Sequence, residues 1–442
     1  MDLVNEHATP ILVGDLHLDK PLPELNGECQ YQAARLLVRL HDRPVGEIVV
    51  SLRQGSMSAS ELAGQVWSQL GDKITTHCAN DGITSPENLP SEGLPCPARP
   101  QCGGRWSAAG GPPVTVVIAT RDRTESLLRC LSSVSRLDYP AFDVVVADSA
   151  PRSDATARAL DREWPFRLHY LRVDRPGLAL AHNEALRAVT GEIVALTDDD
   201  VEVEPSWLAV IAEAFTESAV VCVTGLILPA ELQTRAQVLV EEAGGFGRGF
   251  TRHMFSRDTP EPSPLFPFTA GRFGSGANMA FRADWLIAHG GFDPATGAGT
   301  PARGGDDLIA FLHVITDGGT LLYEPAAIVR HWHRRDYEGV RRQAFGYGVG
   351  LGTYLTATVR REPSLLWEML RRAAPTIRYL LDPGSPKNSG RGPTFPRELV
   401  WRERAGLLVG PAAYAVSRWR YRGCPGVARP HQRVVGIDSA CK

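Results

Sequence analysis

Hydrophobic residues along this chain recur in two rhythms, and the change between them divides it. From Val114 onward, short apolar runs suited to buried strands alternate with segments whose apolar residues repeat every three or four positions. Val114–Ala119 leads to a helical pattern with Leu127, Leu128, Leu131 and Val134 on one face. Val144–Ala147 precedes a predicted helix around Asp154–Leu160, and a third strand covers Leu168–Val173. A helix over Leu178–Val189 closes at Gly191, since glycine commonly ends helices, and the strand Ile193–Leu196 follows. Such alternation implies a parallel sheet covered on both faces, whose ligands sit beyond the carboxyl ends of the strands. Thr120, Arg121, Asp148 and Asp198–Asp200 all fall at such ends, so one cleft can collect them.

The rhythm differs on either side. Residues 1–83 predict a hairpin, Ala34–Leu40 with Gly46–Leu52 joined through Asp42-Arg43-Pro44, then a helix with Ser58 as N-cap and Leu62, Val66, Trp67 and Leu70 inside. This reads as a small α+β unit to which no chemistry attaches. Residues 84–112, rich in Pro, Gly, Ser and Cys, read as a linker, and 113–337 as the α/β domain. Residues 338–442 read as helical and Arg-rich. Such helices either pack with solvated Arg faces or lie peripherally on an anionic membrane.

Composition narrows the classes. At 442 residues, 43% hydrophobic and 22% charged, the chain is globular and long enough for two or three domains. A net charge of −3 offers no footprint for nucleic acid. Lys occurs only at Lys20, Lys73, Lys387 and Lys442, which reads as the codon bias of a GC-rich bacterial genome. The acidic start Met1-Asp2 does not suit a signal peptide, and no stretch reaches the roughly 20 apolar residues of a spanning helix. Scattered cysteines fit a reducing cytoplasm. Cys96 and Cys102, with His77 and Cys78 upstream, make zinc conceivable, but the spacing matches no strong ligand pattern.

Candidate chemistry centres on Ile193-Val194-Ala195-Leu196-Thr197-Asp198-Asp199-Asp200, where a buried strand delivers three carboxylates with no cation beside them in sequence. Asp198 and Asp200 project from one side of an extended segment, and carboxylates that close call for a divalent cation. The alternative is an acidic turn capping the helix that begins near Pro205. A second acidic pair, Asp306-Asp307, opens a predicted helix through Leu308, Phe311, Leu312 and Ile315. Helix caps alone would explain it, whereas a carboxylate aimed into the cleft could take a proton from an acceptor hydroxyl. His331 and His333 alternate just after the strand-like Ala327-Ile328-Val329, as packing residues or as ligands.

Together, Val116–Arg123, Val145–Ser149, Asp198–Asp200, Gly274–Arg282, Gly290–Asp293, Asp306-Asp307 and His331 resemble family 2 glycosyltransferases of GT-A fold. The resemblance covers roughly residues 113–350, and the chain looks like an actinobacterial type with an extra N-terminal α+β segment. It implies a Rossmann-like mixed sheet and an inverting transfer of a sugar from a nucleotide-diphospho-sugar. Thr120 and Arg121 would contact the nucleotide, Asp148 the base, and Asn183 the diphosphate pocket. Asp198 and Asp200 would hold Mg²⁺ or Mn²⁺ and the donor, with Asp199 on the donor side. His331 would complete the ligands, with His333 competing. Gly276 and Asn278 would lie near the donor sugar. Asp307 would be the general base, with Asp306 where the family commonly has Glu. Asp148-Ser149-Ala150 departs from the frequent Asp-Gly-Ser, which leaves the base open. The acceptor, whether lipid carrier, glycan, peptide or small metabolite, is not implied, and the expected place is the cytoplasm, on its own or at the inner face of a membrane.

Three other readings remain. A non-catalytic relative would bind a glycan or scaffold an assembly. A sugar-nucleotide nucleotidyltransferase would want a Gly-rich basic loop where Thr120-Arg121-Asp122-Arg123 runs into a helix. A hydrolase with paired carboxylates would not need the nucleotide-side residues.

Overall fold

The structure, a computed structural model, describes residues 9–27, 30–84, 86–95, 102, 111–261, 263–382, 384, 385, 387, 388, 390–424, 426 and 427. Met1, Asp2, Cys96 and most of the second half of the expected linker lie outside them. In chain order the N-terminal unit contains β1 (Ile11–His17), β2 (Leu25–Asn26), β3 (Ala33–Leu40), β4 (Arg43–Ser51), β5 (Ser56–Met57) and α1 (Ala59–Asn80). The expected hairpin is β3–β4, but its turn is His41-Asp42, both in the left-handed region (φ 53° and 62°), so Arg43-Pro44 already belongs to β4. Ser58 caps α1 in a capping box with Glu61. The sequence reading missed β1, which pairs parallel to β3. The expected linker also packs back as far as Leu94, which is buried with Leu89 in this unit's core, and its N–H donates to the Leu18 carbonyl at 2.6 Å.

The central domain runs β6 (Val114–Thr120), α2 (Thr124–Val134), β7 (Phe142–Ser149), α3 (Ala155–Leu160), β8 (Arg167–Val173), α4 (Leu178–Leu186), β9 (Ile193–Asp198), β10 (Val201–Val203) and α5 (Trp207–Ala214). It continues through β11 (Val220–Pro229), α6 (Arg235–Glu242), β12 (His253–Phe255), β13 (Asn278–Arg282), α7 (Ala283–Ala288), α8 (Asp306–Thr316) and β14 (Thr320–His331). Strand order is β10-β14-β11-β13-β9-β6-β7-β8, with β12 also on β14. The β9-β6-β7-β8 half is parallel, whereas β13 runs antiparallel between β9 and β11, so the sheet is mixed, as the GT-A resemblance implies. Side chains alternate into two cores, Val117, Val145 and Leu196 on one face, Val116, Val146 and Ala195 on the other.

Helix α4 stops at Leu186 and not at Val189. Gly191 serves a different purpose from the expected helix end: a Cβ there would stand 2.7 Å from the Pro113 carbonyl oxygen and the Thr115 nitrogen of β6. The C-terminal region is α9 (Tyr337–Arg361), α10 (Ser364–Arg371), α11 (Ala373–Leu381) and α12 (Arg397–Arg420). Helices α9 and α12 cross backbone to backbone on glycines. A Cβ on Gly348 would overlap the Glu403 carbonyl, and one on Gly410 would come within 2.6 Å of Gly352 Cα. No helix among the described residues is long and apolar enough to cross a membrane.

Candidate active site

Strand register gathers the first group of residues. Thr120 lies opposite Asp148 and Ala119 opposite Asp198, so β6, β7 and β9 all present their carboxyl ends at one edge. Asp199 and Asp200 form the turn into β10, which pairs with β14 so that Val201 lies opposite His331. The Trp332 N–H donates to the Asp200 carbonyl at 2.9 Å. This β10–β14 ladder brings His331, 131 positions away in sequence, to the acidic turn: its Nε2 stands 3.4 Å from Asp200 Oδ1. Ligand atoms of Asp198, Asp200 and His331 lie within 4.8 Å of one another.

The three carboxylates differ. Arg123, at the start of α2, places Nη1 2.6 Å from Asp199 Oδ1 and Nη2 2.6 Å from Asp200 Oδ2, so the acidic run that has no cation beside it in sequence has one beside it in the fold. Thr120 donates to Asp199 Oδ2 at 2.7 Å, and Asp199 is thereby turned into the protein. Its carboxyl rises to about 6 through burial, against the pull of Arg123. Burial raises Asp200 too, but His331 and Arg123 outweigh it and hold this carboxyl below its ordinary value. Asp198 has no such guard: burial, then repulsion from Asp200, Asp199 and Asp306, pushes its carboxyl well up. A buried acid that resists ionisation beside an ionised one is a site that a cation would deprotonate. Burial also lowers His331 to about 4, leaving the imidazole neutral with a lone pair to offer. Asp198, Asp200 and His331 thus suit a divalent ion.

His333 takes a separate role. Its Nε2 bonds Glu241 Oε1 at 2.7 Å, its Nδ1 stands 3.0 Å from His331 Nδ1, and Glu241 in turn pairs with Arg35 of β3 at 2.7 Å. Burial opposes ionisation of Glu241, but Arg35 and His333 win and bring it down to about 2. The N-terminal unit therefore supports His331 through Arg35, Glu241 and His333.

A cavity of about 660 Å³ opens over this edge, lined by Thr120, Arg121, Asp198–Asp200, Gly276 and His331 from the sheet side. The second acidic pair joins it. Asp306 and Asp307 open α8 behind Gly305, which is left-handed at φ 88°. Asp307 Oδ2 accepts the Gly276 N–H at 2.9 Å and Oδ1 the Leu308 N–H at 2.8 Å, which leaves its carboxylate half-buried at the cavity wall. Asp306 is buried behind it. Burial first, then repulsion from Asp307, lifts Asp306 to about 7.

Three expected residues stand elsewhere. Asn183 donates to the Phe292 carbonyl at 2.7 Å and accepts the Phe292 N–H at 2.8 Å, so its amide is spent on bracing that loop and does not reach the cavity. Asn278 donates to the Leu226 and Ala327 carbonyls at 3.1 and 2.8 Å and accepts the Trp207 indole N–H at 2.9 Å, filling the irregularity where β11 and β14 shift register. Asp148 is buried beyond the cavity lining, accepting the Tyr170 hydroxyl at 3.0 Å.

Sequence reasoning missed His182. It lines the cavity from α4, is 2% exposed, and neither ring nitrogen has a hydrogen-bond partner among the described residues. Burial lowers it to about 4. The available signal was a polar His-Asn pair interrupting the apolar run Leu178–Ala181. Also missed was the far wall, built by Tyr347, Gly350 and Leu351 of α9 with Lys387, Arg391 and Glu403. Arg-rich composition hid the fact that these helices close the site.

Part of this sequence is similar to that of known proteins. The sequence model of Glycosyl transferase family 2 matches residues 115–286. A pre-mycofactocin glycosyltransferase of Mycobacterium tuberculosis is 29% identical over 238 residues, 53% of this chain and 46% of that protein. A glucosyl-dolichyl phosphate glucuronosyltransferase of Haloferax volcanii is 24% identical over 198 residues, 42% of this chain and 57% of that protein. The chain thus spans about half the length of these curated relatives. Among solved structures, a mannosyltransferase from Pyrobaculum calidifontis in complex with GDP-Man and Mn²⁺ superposes with a TM-score of 0.42 at 19% identity, over 72% of this chain and 76% of that one.

Proposed function

Because residues 115–286 make this chain a member of glycosyl transferase family 2, we propose that it transfers a sugar from a nucleotide-diphospho-sugar to an acceptor hydroxyl, with inversion and with a divalent cation. The observation that carries this reading is the meeting of Asp198, Asp200 and His331 at one wall of a cavity whose other wall bears Asp307. Mg²⁺ or Mn²⁺ would be held by Asp198, Asp200 and His331 and would offset charge on the departing diphosphate. Arg123 and Thr120 hold the turn that presents Asp200, and His182 offers a hydrogen bond to the donor from the opposite side. Asp307, oriented by the Gly276 and Leu308 N–H groups, accepts the acceptor's proton as the new bond forms at the anomeric carbon. A single displacement needs no covalent intermediate.

A thermal-shift screen of UDP-, GDP- and dTDP-sugars with and without Mn²⁺ tests the proposal, since a ligand selective for the folded chain raises its stability. A metal-dependent shift by one nucleotide is the expected result. No shift from any donor in a folded, metal-supplied sample would favour a non-catalytic glycan-binding relative.

The support from Arg35 and Glu241 predicts that Glu241→Gln weakens metal-dependent donor binding about 10–100-fold, the usual effect of losing a ligand's outer partner. Titration calorimetry with the donor from the screen checks this; unchanged affinity would make the relay purely structural.

We further propose that the C-terminal helices rest on an anionic membrane surface. Trp367 and Leu370 of α10 and Trp401, Leu408 and Trp419 of α12 are exposed, among arginines. Co-sedimentation with vesicles containing phosphatidylglycerol is expected, weakened by salt and by Trp401→Ser with Leu408→Ser. Equal recovery with neutral vesicles would count against it.

A further inference from the structure

The N-terminal unit, to which the sequence attaches no chemistry, contains a second convergence of metal-ligating side chains. One ligand atom each from His41, His77, Asp81 and Cys102 lies within 4.8 Å of the others. They come from three separate places: the β3–β4 turn, the last turn and C-cap of α1, and the stretch beyond Leu94. His41 Nδ1 stands 2.6 Å from Asp81 Oδ2, 3.3 Å from His77 Nε2 and 3.8 Å from Cys102 Sγ, while His77 Nε2 is 3.2 Å from Asp81 Oδ2.

Most of these separations are close to those of a tetrahedron. With zinc–nitrogen or zinc–oxygen bonds of about 2.0–2.1 Å and a zinc–sulfur bond of about 2.3 Å, neighbouring ligand atoms stand about 3.3–3.6 Å apart. Three of the four distances fall in or beside that range. The short one, a histidine–carboxylate hydrogen bond, would open by less than about 1 Å around an ion. The side chains of His41 and Asp81 are fully buried and that of His77 is 15% exposed, so the point is shielded from water on most sides. Two nitrogens, one oxygen and one sulfur suit zinc better than the hard cations, which prefer oxygen throughout.

The surroundings orient these ligands. Asp81 Oδ1 accepts the Cys102 N–H at 2.5 Å, and Arg43 Nε donates to the Cys102 carbonyl, which ties down the backbone that carries the thiol. His77 and Asp81 share one face of α1 at a spacing of four residues. Cys78, beside His77, instead points into the unit's apolar core and is no part of the group. Cys96 lies outside the described residues.

We propose that His41, His77, Asp81 and Cys102 bind a structural zinc ion, four protein ligands closing the coordination sphere. The ion would pin the β3–β4 turn to the end of α1 and to Cys102. It lies next to Arg43, which reaches Glu324 of β14 at 3.6 Å, and at the end of the strand that carries Arg35. The competing account has both histidines donating hydrogen bonds to Asp81 with no ion between them.

Metal content of the full-length chain decides. In an Asp198→Ala, Asp200→Ala background, which removes the other cluster, the dialysed protein is expected to retain about one zinc per chain, falling to about a tenth of that with Cys102→Ser or His77→Ala. Replacing zinc by Co²⁺ should produce intense tetrahedral d–d bands and a thiolate-to-cobalt charge-transfer band, the latter absent in Cys102→Ser. If the variants do not fold, the Co²⁺ spectrum of the unaltered ligand set still decides. No retained metal, a weak octahedral spectrum, or a thiolate band that survives Cys102→Ser would each overturn the proposal.

Discussion

Chains carrying Asp198→Ala with Asp200→Ala are expected to lose metal-dependent stabilisation by nucleotide sugars entirely, yet to change little in stability without ligand. The loss follows from removing two of the three residues that would hold the cation. At a hundredfold excess over its Kd a donor stabilises the folded chain by about 2.7 kcal/mol, so the vanished shift is easily read. Ligand-free stability should change little because two effects oppose: removing Asp198 relieves a carboxyl raised by burial and like charge, whereas removing Asp200 gives up its pairing with Arg123 and His331. Asp198, Asp199 and Asp306 all carry pKa values raised by burial, Asp199 to about 6 and Asp306 to about 7. A folded-state pKa above the unfolded value means that the folded chain binds the extra proton. The stability contributed is complete below about pH 4, the unfolded value, and is lost as pH rises through 6 and 7. Metal-free protein should therefore unfold more easily at pH 8 than at pH 5.5 on this account, and the divalent cation should stabilise it more at pH 8, where it no longer competes with a proton. Arg123 keeps Asp199 as a partner in the double variant, so the turn is not left with an unpaired, half-buried cation. Urea titrations at the two pH values, with and without Mn²⁺, check both signs. A double variant that still shows the metal-dependent shift would remove the acidic turn from the proposed mechanism.

Asp307→Asn is expected to lower turnover by about 10²–10⁴-fold while leaving donor affinity within a small factor, because a general base acts in the transition state and a cation site does not depend on it. Release of nucleoside diphosphate from the donor measures the first quantity, and calorimetry the second. Asp306 makes the result specific. Burial lifts Asp306 to about 7 and also raises the Asp307 carboxyl above its ordinary value, so the rate should show an acid limb where Asp307 takes up its proton, shifted upward from that of an exposed carboxylate. Asp306→Asn removes one of two like charges and should move that limb to lower pH, with a smaller loss of plateau rate. If instead Asp306→Asn abolishes turnover and Asp307→Asn does not, the base is the more deeply buried acid, and the expected roles are exchanged.

Period and punctuation alone determined much of this protein. The strand–helix alternation from Val114 to Asp198, the Ser58 capping box and the hairpin after Ala34 follow from local physics, because each is set by residues a few positions apart. The acidic turn and the Asp306-Asp307 pair were legible for the same reason, since contiguous carboxylates at a strand or helix end are visible without a fold. What lay across the sheet was not. His331 reaches Asp200 only through the β10–β14 ladder, and His333 faces Glu241 and Arg35 only because β3 packs beside α6. Asn183 and Asn278, expected at the donor, turn inward because the Phe292 loop and the β11–β14 irregularity each contain unpaired backbone groups that an amide can satisfy. Arg123 neutralises Asp199 and Asp200 across 76 and 77 residues. His41, His77, Asp81 and Cys102 meet across gaps too long for any ligand spacing to reveal. Local sequence decides which elements form and which ends carry charge; which charges meet is decided by strand register and helix packing, and those depend on contacts between residues far apart in the chain.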